Sequence, residues 1–159
     1  MAISNDDLGH LRRCVELARE ALEAGDDPFG SLLVDANGVV RIEDRNRTKD
    51  GDATRHPEFE IARWSTSNLT PDERAGATVY TSGEHCPMCA AAHAWVGLGR
   101  IVYAASTAQM VGWLQLWGVS TSPVTPLPIS TIAPGIELDG PAPELAEEMK
   151  AMYEATFRR

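Results

Sequence analysis

The chain has 159 residues, 43% hydrophobic and 23% charged, with a formal net charge of −9. Those figures fit one ordinary globular domain over residues 1–159. They offer no apolar run near the roughly 20 residues of a membrane span, and the acidic excess counts against nucleic-acid partners, whose phosphates call for Lys and Arg. Lysine occurs only at Lys49 and Lys150. Met1 to His10 is polar and acidic, unlike a signal peptide. Three cysteines, two of them in one short motif, point to a reduced cytoplasm and metal binding rather than a disulfide framework.

Leu8, Leu11, Val15, Ala18 and Leu22 alternate steps of three and four, the stripe of an amphipathic helix, and Gly25 is a plausible stop. Cys14 lies on or beside that stripe and reads as core. Ser31 to Asp35 and Val39 to Glu43 flank Ala36-Asn37-Gly38, a hairpin in which Asn-Gly supplies positive φ. Asn46 to Thr54 is a polar loop. A helix starting at Thr54 or Arg55 carries Glu58, Ile61, Ala62 and Trp64. Ala77 to Ser82 predicts a strand, Cys86 to Leu98 an Ala-rich helix and Arg100 to Ala105 another strand. Gln109 to Pro128 reads as a long loop or broken helix holding Trp113 and Trp117. Ile129 to Ile132 predicts a last strand. Ala142 to Phe157 is a final helix with Leu145, Met149, Met152 and Tyr153 on one face. Alternating strands and helices after an opening hairpin predict an α/β fold, a three-layer α/β/α arrangement around a largely parallel sheet.

Two short segments carry chemistry. His56-Pro57-Glu58 offers an imidazole with a carboxylate two residues on, and Cys86-Pro87-Met88-Cys89 offers two thiols. One imidazole and two thiolates cancel most of the charge of Zn²⁺ and leave a tetrahedral ion one position for water, as in catalytic sites. Cys86 and Cys89 fall at a predicted helix start, where N–H groups favour anionic sulfur. Pro57 suits a first helical turn, whose N–H groups have no intrahelical partner. Glu58 is too near His56 in sequence to be a comfortable fourth ligand. Its role is proton carrier, from water to a ring nitrogen and to a departing amine. His-x-Glu followed by Cys-x-x-Cys is the pattern of zinc-dependent nucleobase deaminases. A closed structural zinc site would need a fourth ligand, with His85 and His93 as candidates, and Cys-x-x-Cys alone also suits a redox pair.

With these motifs in place, the chain resembles the cytidine deaminase-like superfamily, on its guanine deaminase and tRNA-adenosine deaminase side. Pro28-Phe29-Gly30 resembles the entry to the family's first strand. Asp52-Ala53-Thr54-Arg55-His56-Pro57-Glu58 and Tyr80 to Ala90 resemble its two zinc segments. The resemblance implies a five-stranded mixed sheet between helices, bound Zn²⁺ and a homodimer. It also implies substrate contacts. Asn46 matches the family's substrate-binding asparagine, or else is a turn residue. Phe29 is a pocket wall or plain core. Trp113 and Trp117 stack on a flat ring or pack at an interface. Tyr153 and Phe157 close the pocket or pack in the core.

The departures bear on the substrate. Pro57 stands where similar enzymes carry a small residue whose N–H donates, and proline has none. His85 replaces the usual proline before the first cysteine. Gly112-Trp113-Leu114-Gln115-Leu116-Trp117 shows no acid where guanine deaminases carry one. The expected substrate is a free amino-substituted ring: guanine, a cytosine-type pyrimidine, a modified purine or an aminotriazine. The competing readings are a tRNA-specific adenosine deaminase and a structural-zinc protein without catalysis.

Overall fold

The computed structural model describes residues 2–120 and 122–158. Helix α1 (Asn5–Glu23) starts in a reciprocal cap, with the Ser4 side chain on the Asp7 N–H and the Asp7 side chain on the Ser4 N–H. Such a capping box satisfies two otherwise orphaned donors. Its buried residues include Leu11, Cys14, Val15 and Ala18, so Cys14 is core as expected. Strands β1 (Gly30–Val34) and β2 (Val40–Arg45) form the antiparallel hairpin. Only Gly38 takes positive φ, at 80°. Asn37 does not, because the Asp35 carboxylate accepts the N–H groups of Asn37 and Val39 and folds the turn around itself.

Helix α2 (Pro57–Asn68), the short α3 (Pro71–Ala75), strand β3 (Thr78–Gly83), helix α4 (Pro87–Trp95) and strand β4 (Ile101–Ala105) follow in order. The sheet runs β2-β1-β3-β4-β5. β1 is antiparallel to β2 and β3, whereas β3, β4 and β5 are parallel. The sheet is therefore mixed. Parallel pairing is confined to strands joined by crossovers, and the hairpin sets the antiparallel half.

Two expectations change. The segment read as a broken helix opens with a regular one, α5 (Thr107–Leu116), capped by Ser106 and Gln109. Ile129–Ile132 is a short helix, α6, rather than a strand. The Ile129 N–H donates to the Glu84 carboxylate at 2.9 Å and starts the turn. The fifth strand is β5 (Leu138–Asp139), two residues long, too short for an alternation to show. Helix α7 (Pro143–Phe157) closes the chain.

Alternate strand residues face opposite ways. Leu32, Val34, Tyr80 and Val102 pack with α1 and α7 on one face. Leu33 and Val79 pack with Ile61, Ala62 and Leu98 on the other, beside α2 and α4. Helices on both faces of a sheet make the three-layer α/β/α sandwich. Among the described residues no helix is long and apolar enough to cross a membrane.

A buried polar network ties the layers together. Arg100 donates through Nε to Asp139 at 2.8 Å, and through both Nη atoms to the Asp7 carboxylate at 3.0 and 3.1 Å. Tyr80 adds a hydroxyl bond to Asp7 at 2.7 Å. Burial alone would raise the Asp7 carboxyl. Arg100, the Ser4 N–H and the Tyr80 hydroxyl outweigh it and hold the carboxyl far below its ordinary 3.8. A carboxyl that ionises lower when folded stabilises fully above about pH 4, and that contribution is lost as the pH falls further. Arg100→Met leaves Asp7 and Asp139 without their cation and should cost about 3–5 kcal/mol at neutral pH. Urea unfolding from pH 7 to 3 should show wild-type stability falling steeply below about pH 4. The variant should start lower and fall less. Parallel curves would mean that Arg100 is not what holds Asp7 ionised.

Candidate active site

His56 is the N-cap of α2, in extended conformation, with Pro57 as the first helical residue. Cys86 is the N-cap of α4, again followed by proline, and Cys89 lies in the first turn. Both helices begin at the same end of the sheet, and their starts converge. Nδ1 of His56 lies 3.6 Å from Sγ of Cys86 and 3.6 Å from Sγ of Cys89. The three ligand atoms all fall within 4.8 Å of one another. With Zn–S near 2.3 Å and Zn–N near 2.0–2.1 Å, a tetrahedral angle gives an S···N edge of about 3.6 Å. The cluster fits zinc. A carbonyl, that of Ala53, also bonds the imidazole, the kind of contact that fixes a ligand ring.

Charges are shared unevenly within the cluster. The bond from Cys89, and then the one from His56, outweigh burial and bring the Cys86 thiol down to about 4. Cys89 moves the other way, through its bond to Cys86 and through burial. The bond to Cys86 raises the His56 imidazole. One thiolate shared among three groups is the arrangement a cation completes, since a bound metal ionises the second sulfur as well.

His85 and His93 stay outside this group. Nε2 of His93 lies 2.7 Å from the Gly99 carbonyl. His85 is buried edge-on to His93, their ring centres 5.4 Å apart. Neither ring nitrogen of His85 has a hydrogen-bond partner among the described residues. Burial, and next the His93 ring, hold His85 well below its ordinary value. No fourth protein ligand joins His56, Cys86 and Cys89 among the described residues.

Glu58 is 6% exposed. Its Oε1 accepts from the Ser31 and Thr81 hydroxyls, each at 3.0 Å. Those residues are cross-strand partners in the β1–β3 register, and their oxygens lie 2.9 Å apart. This polar pair, set among buried apolar strand residues, thus holds one carboxylate oxygen of Glu58. Burial raises the Glu58 carboxyl above its ordinary value, against the opposing pull of His56, as suits a group that takes and returns protons near neutrality.

A cavity of about 390 Å³ opens onto these groups. Of the residues expected at the site, Phe29, Asn46, His56, Glu58, Cys86 and Phe157 line it. Pro57, Trp113, Tyr153 and Trp117 are not among its lining residues. Pro57 is buried at the helix start between two residues that face the cavity. Trp113 and Trp117 pack against the core around α1 and α7. Tyr153 backs the wall, with ring centres 5.5 Å from Phe29 and 6.1 Å from Phe157. It comes so close to β3 that a Cβ on Gly83 would meet its hydroxyl at 2.6 Å.

The cavity also holds residues the motifs did not name: Asp27, Glu84, Thr107, Met110, Leu114 and Val119. Glu84 binds the Thr107 N–H through Oε2 at 2.7 Å and the Ile129 N–H through Oε1. It stitches the starts of α5 and α6 onto the wall. A lone acid next to the zinc motif was the available sign of it.

Residues 4–105 match the family described as the cytidine and deoxycytidylate deaminase zinc-binding region. The chain belongs to this family. It is a hydrolytic deaminase, and zinc is its cofactor. A probable cytosine deaminase of Schizosaccharomyces pombe is 34% identical over 116 residues, 73% of this chain and 70% of that protein. The guanine deaminase of Bacillus subtilis is 34% identical over 96 residues, 60% of this chain and 62% of that protein. The fold is shared with a structure of guanine deaminase from Nitrosomonas europaea, at a TM-score of 0.71 and 21% identity over 98% of this chain and 86% of that one. The named relatives are thus deaminases of different substrates. Purified protein should hold one zinc per chain by plasma mass spectrometry, and Cys89→Ser should weaken zinc at least about tenfold. A Cys89→Ser protein that keeps stoichiometric zinc through dialysis against chelator would remove Cys89 from the ligand set.

Proposed function

We propose that the protein deaminates a free, uncharged, amino-substituted ring of nucleobase type, and that His56, Cys86 and Cys89 hold the zinc. The observation that carries this reading is the cavity wall. Its apolar lining is interrupted by carboxylates, and no Lys or Arg is among the described residues that line it. A nucleotide would bring phosphate charge against a wall whose described residues include no Lys or Arg to meet it. The net charge of −9 acts in the same sense against tRNA.

The overall change replaces a ring amino group by oxygen from water and releases ammonia. Zinc, when bound, supplies Lewis acidity that makes water nucleophilic at neutral pH. Glu58, held in place through Oε1 by Ser31 and Thr81, accepts the proton from water. It passes that proton to a ring nitrogen and later delivers one to the amine, so that ammonia rather than amide leaves. Asn46 orients the ring. Its Oδ1 already accepts from the N–H and hydroxyl of Thr48, at 3.0 and 2.8 Å, so the amide N–H₂ is what it offers the substrate. Phe29, Leu114 and Phe157 shield the reacting groups from bulk water.

Glu58→Gln keeps the shape and removes the proton acceptor. It should retain zinc and lower ammonia release by at least about a hundredfold. An ammonia-release screen of zinc-loaded protein over free bases, nucleosides and aminotriazines tests the substrate class. Nucleosides turned over faster than their bases would contradict the free-base reading, and tight, salt-sensitive tRNA binding would favour tRNA-adenosine deamination. Zinc kept without turnover of any ring or RNA would leave the structural-zinc reading.

A homodimer is part of the same proposal. Helix α4 buries Cys89, Ala90 and His93. Met88, Ala91 and Trp95 fall on its outer side at helical spacing, and Trp95 is 87% exposed. A large bare aromatic on a helix that also carries two zinc ligands suits a second copy of this chain. Sedimentation velocity should give a dimer for the wild type and a monomer for Trp95→Glu. An unchanged sedimentation coefficient would place the contact elsewhere.

A further inference from the structure

We propose that the ring this protein deaminates carries an apolar, alkyl-type substituent on the side away from the departing amine, and that one face of helix α5 receives it. This rests on the ring-deaminase reading above and deepens it.

The cavity is larger than its reacting end needs. It measures about 390 Å³, in the range of pockets that hold drug-sized ligands. A bare pyrimidine or purine base, with roughly eight to eleven non-hydrogen atoms, fills about 100–150 Å³ at the packing density of protein interiors. More than half of the space is left over once such a ring faces Glu58 and the zinc ligands.

Helix α5 shows which way the surplus runs. Thr107, Met110, Val111 and Leu114 line the cavity, and this spacing puts them on one face of the helix. Thr107 is at the zinc end. Its N–H donates to Glu84 at 2.7 Å, and Glu84 stands two residues before Cys86. At 1.5 Å of rise per residue, Leu114 lies about 10 Å farther along the helix axis. Past Thr107 the lining face of α5 is wholly apolar. Val124 and Leu127, from the segment after α5, border the same cavity. They are 48% and 37% exposed, so both have apolar surface to give up to a ligand. Ser122 also lines the cavity, but its hydroxyl donates to the Val124 carbonyl at 3.0 Å.

A sugar suits this wall poorly. Its hydroxyls would leave water for Met110, Val111 and Leu114, whose side chains offer no hydrogen bond in return. An alkyl group in the same place gains by burial. The amine-bearing carbon has to reach Glu58, so the substituent belongs on a ring atom remote from that carbon. In cytosine that atom is N1, and in guanine N9.

Homologous series test this. Steady-state ammonia release and calorimetric binding would be measured on zinc-loaded protein with cytosine, 1-methyl-, 1-propyl- and 1-pentylcytosine, and with guanine and its 9-alkyl counterparts. 1-Cyclopentylcytosine would be compared with cytidine. In at least one series KM and Kd should fall about threefold per methylene as the chain grows. 1-Cyclopentylcytosine should bind at least about tenfold more tightly than cytidine. Val111→Asn and Leu127→Asn put an amide on this wall and should each flatten the slope, at matched zinc content. Neither residue packs in the apolar cores formed by the described residues, and the use of two positions guards against a folding defect peculiar to one. Affinity that is flat or falls with chain length in both series, or a slope that survives both substitutions, overturns the apolar subsite while leaving the deaminase intact. Cytidine bound as well as 1-cyclopentylcytosine overturns it too. No turnover and no binding of any ring overturns the ring-deaminase reading itself, and this inference with it.

Discussion

The starts of two helices meet over one end of the sheet, and the chemistry depends on that meeting. α2 and α4 lie on the same face of the sheet, held by Leu33, Ile61, Ala62, Val79 and Leu98. Each begins with a ligand at its N-cap and a proline at its first turn. Helix N-termini favour anions, so two of them aimed at one point suit thiolates there. The apolar packing that aligns the helices therefore also sets the 3.6 Å spacing between imidazole and sulfur. Nothing in either helix alone would hold a metal.

The proton carrier depends on the sheet instead. Glu58 lies in the first turn of α2 and is buried against β1 and β3. Ser31 and Thr81 meet it there because they are register partners. A slip of one residue would turn both hydroxyls to the other face and leave a buried carboxylate without donors. The register is kept by the apolar residues on either side, Leu32, Leu33, Val79 and Tyr80, all buried. The Arg100, Asp7 and Tyr80 network anchors the same strands to α1 and β5, so stability and site geometry share their supports.

The substrate wall is assembled from parts far apart in the chain. Asp27 and Phe29 come from the loop before β1, Asn46 from the end of β2, Met110 and Leu114 from α5, and Phe157 from α7. Glu84 links two of these parts by binding the starts of α5 and α6. It spends its charge on backbone donors and so stiffens the wall.

Much of this was legible in order along the chain. Local spacing determined α1, the hairpin, α2, β3, α4, β4 and α7, because each carries its own periodicity or turn. The residue types of His56, Glu58, Cys86 and Cys89 determined the chemistry, since an imidazole, a carboxylate and two thiols in that order suit few tasks. Tertiary structure decided what depends on neighbours. Ile129 to Ile132 has the composition of a strand but turns into a helix because Glu84 takes its first N–H. Whether Trp113 and Trp117 face a ring or pack was open in the sequence, and in the fold both pack, partly buried, against the core around α1 and α7. Asp26 and Asp27 are identical in sequence terms, and only the fold shows that Asp26 takes Arg45 and the Lys49 N–H while Asp27 is among the residues lining the cavity. Sequence by itself names the reacting groups, because chemistry belongs to side-chain type. Which rings reach those groups is a matter of walls, and walls are made by packing between distant segments.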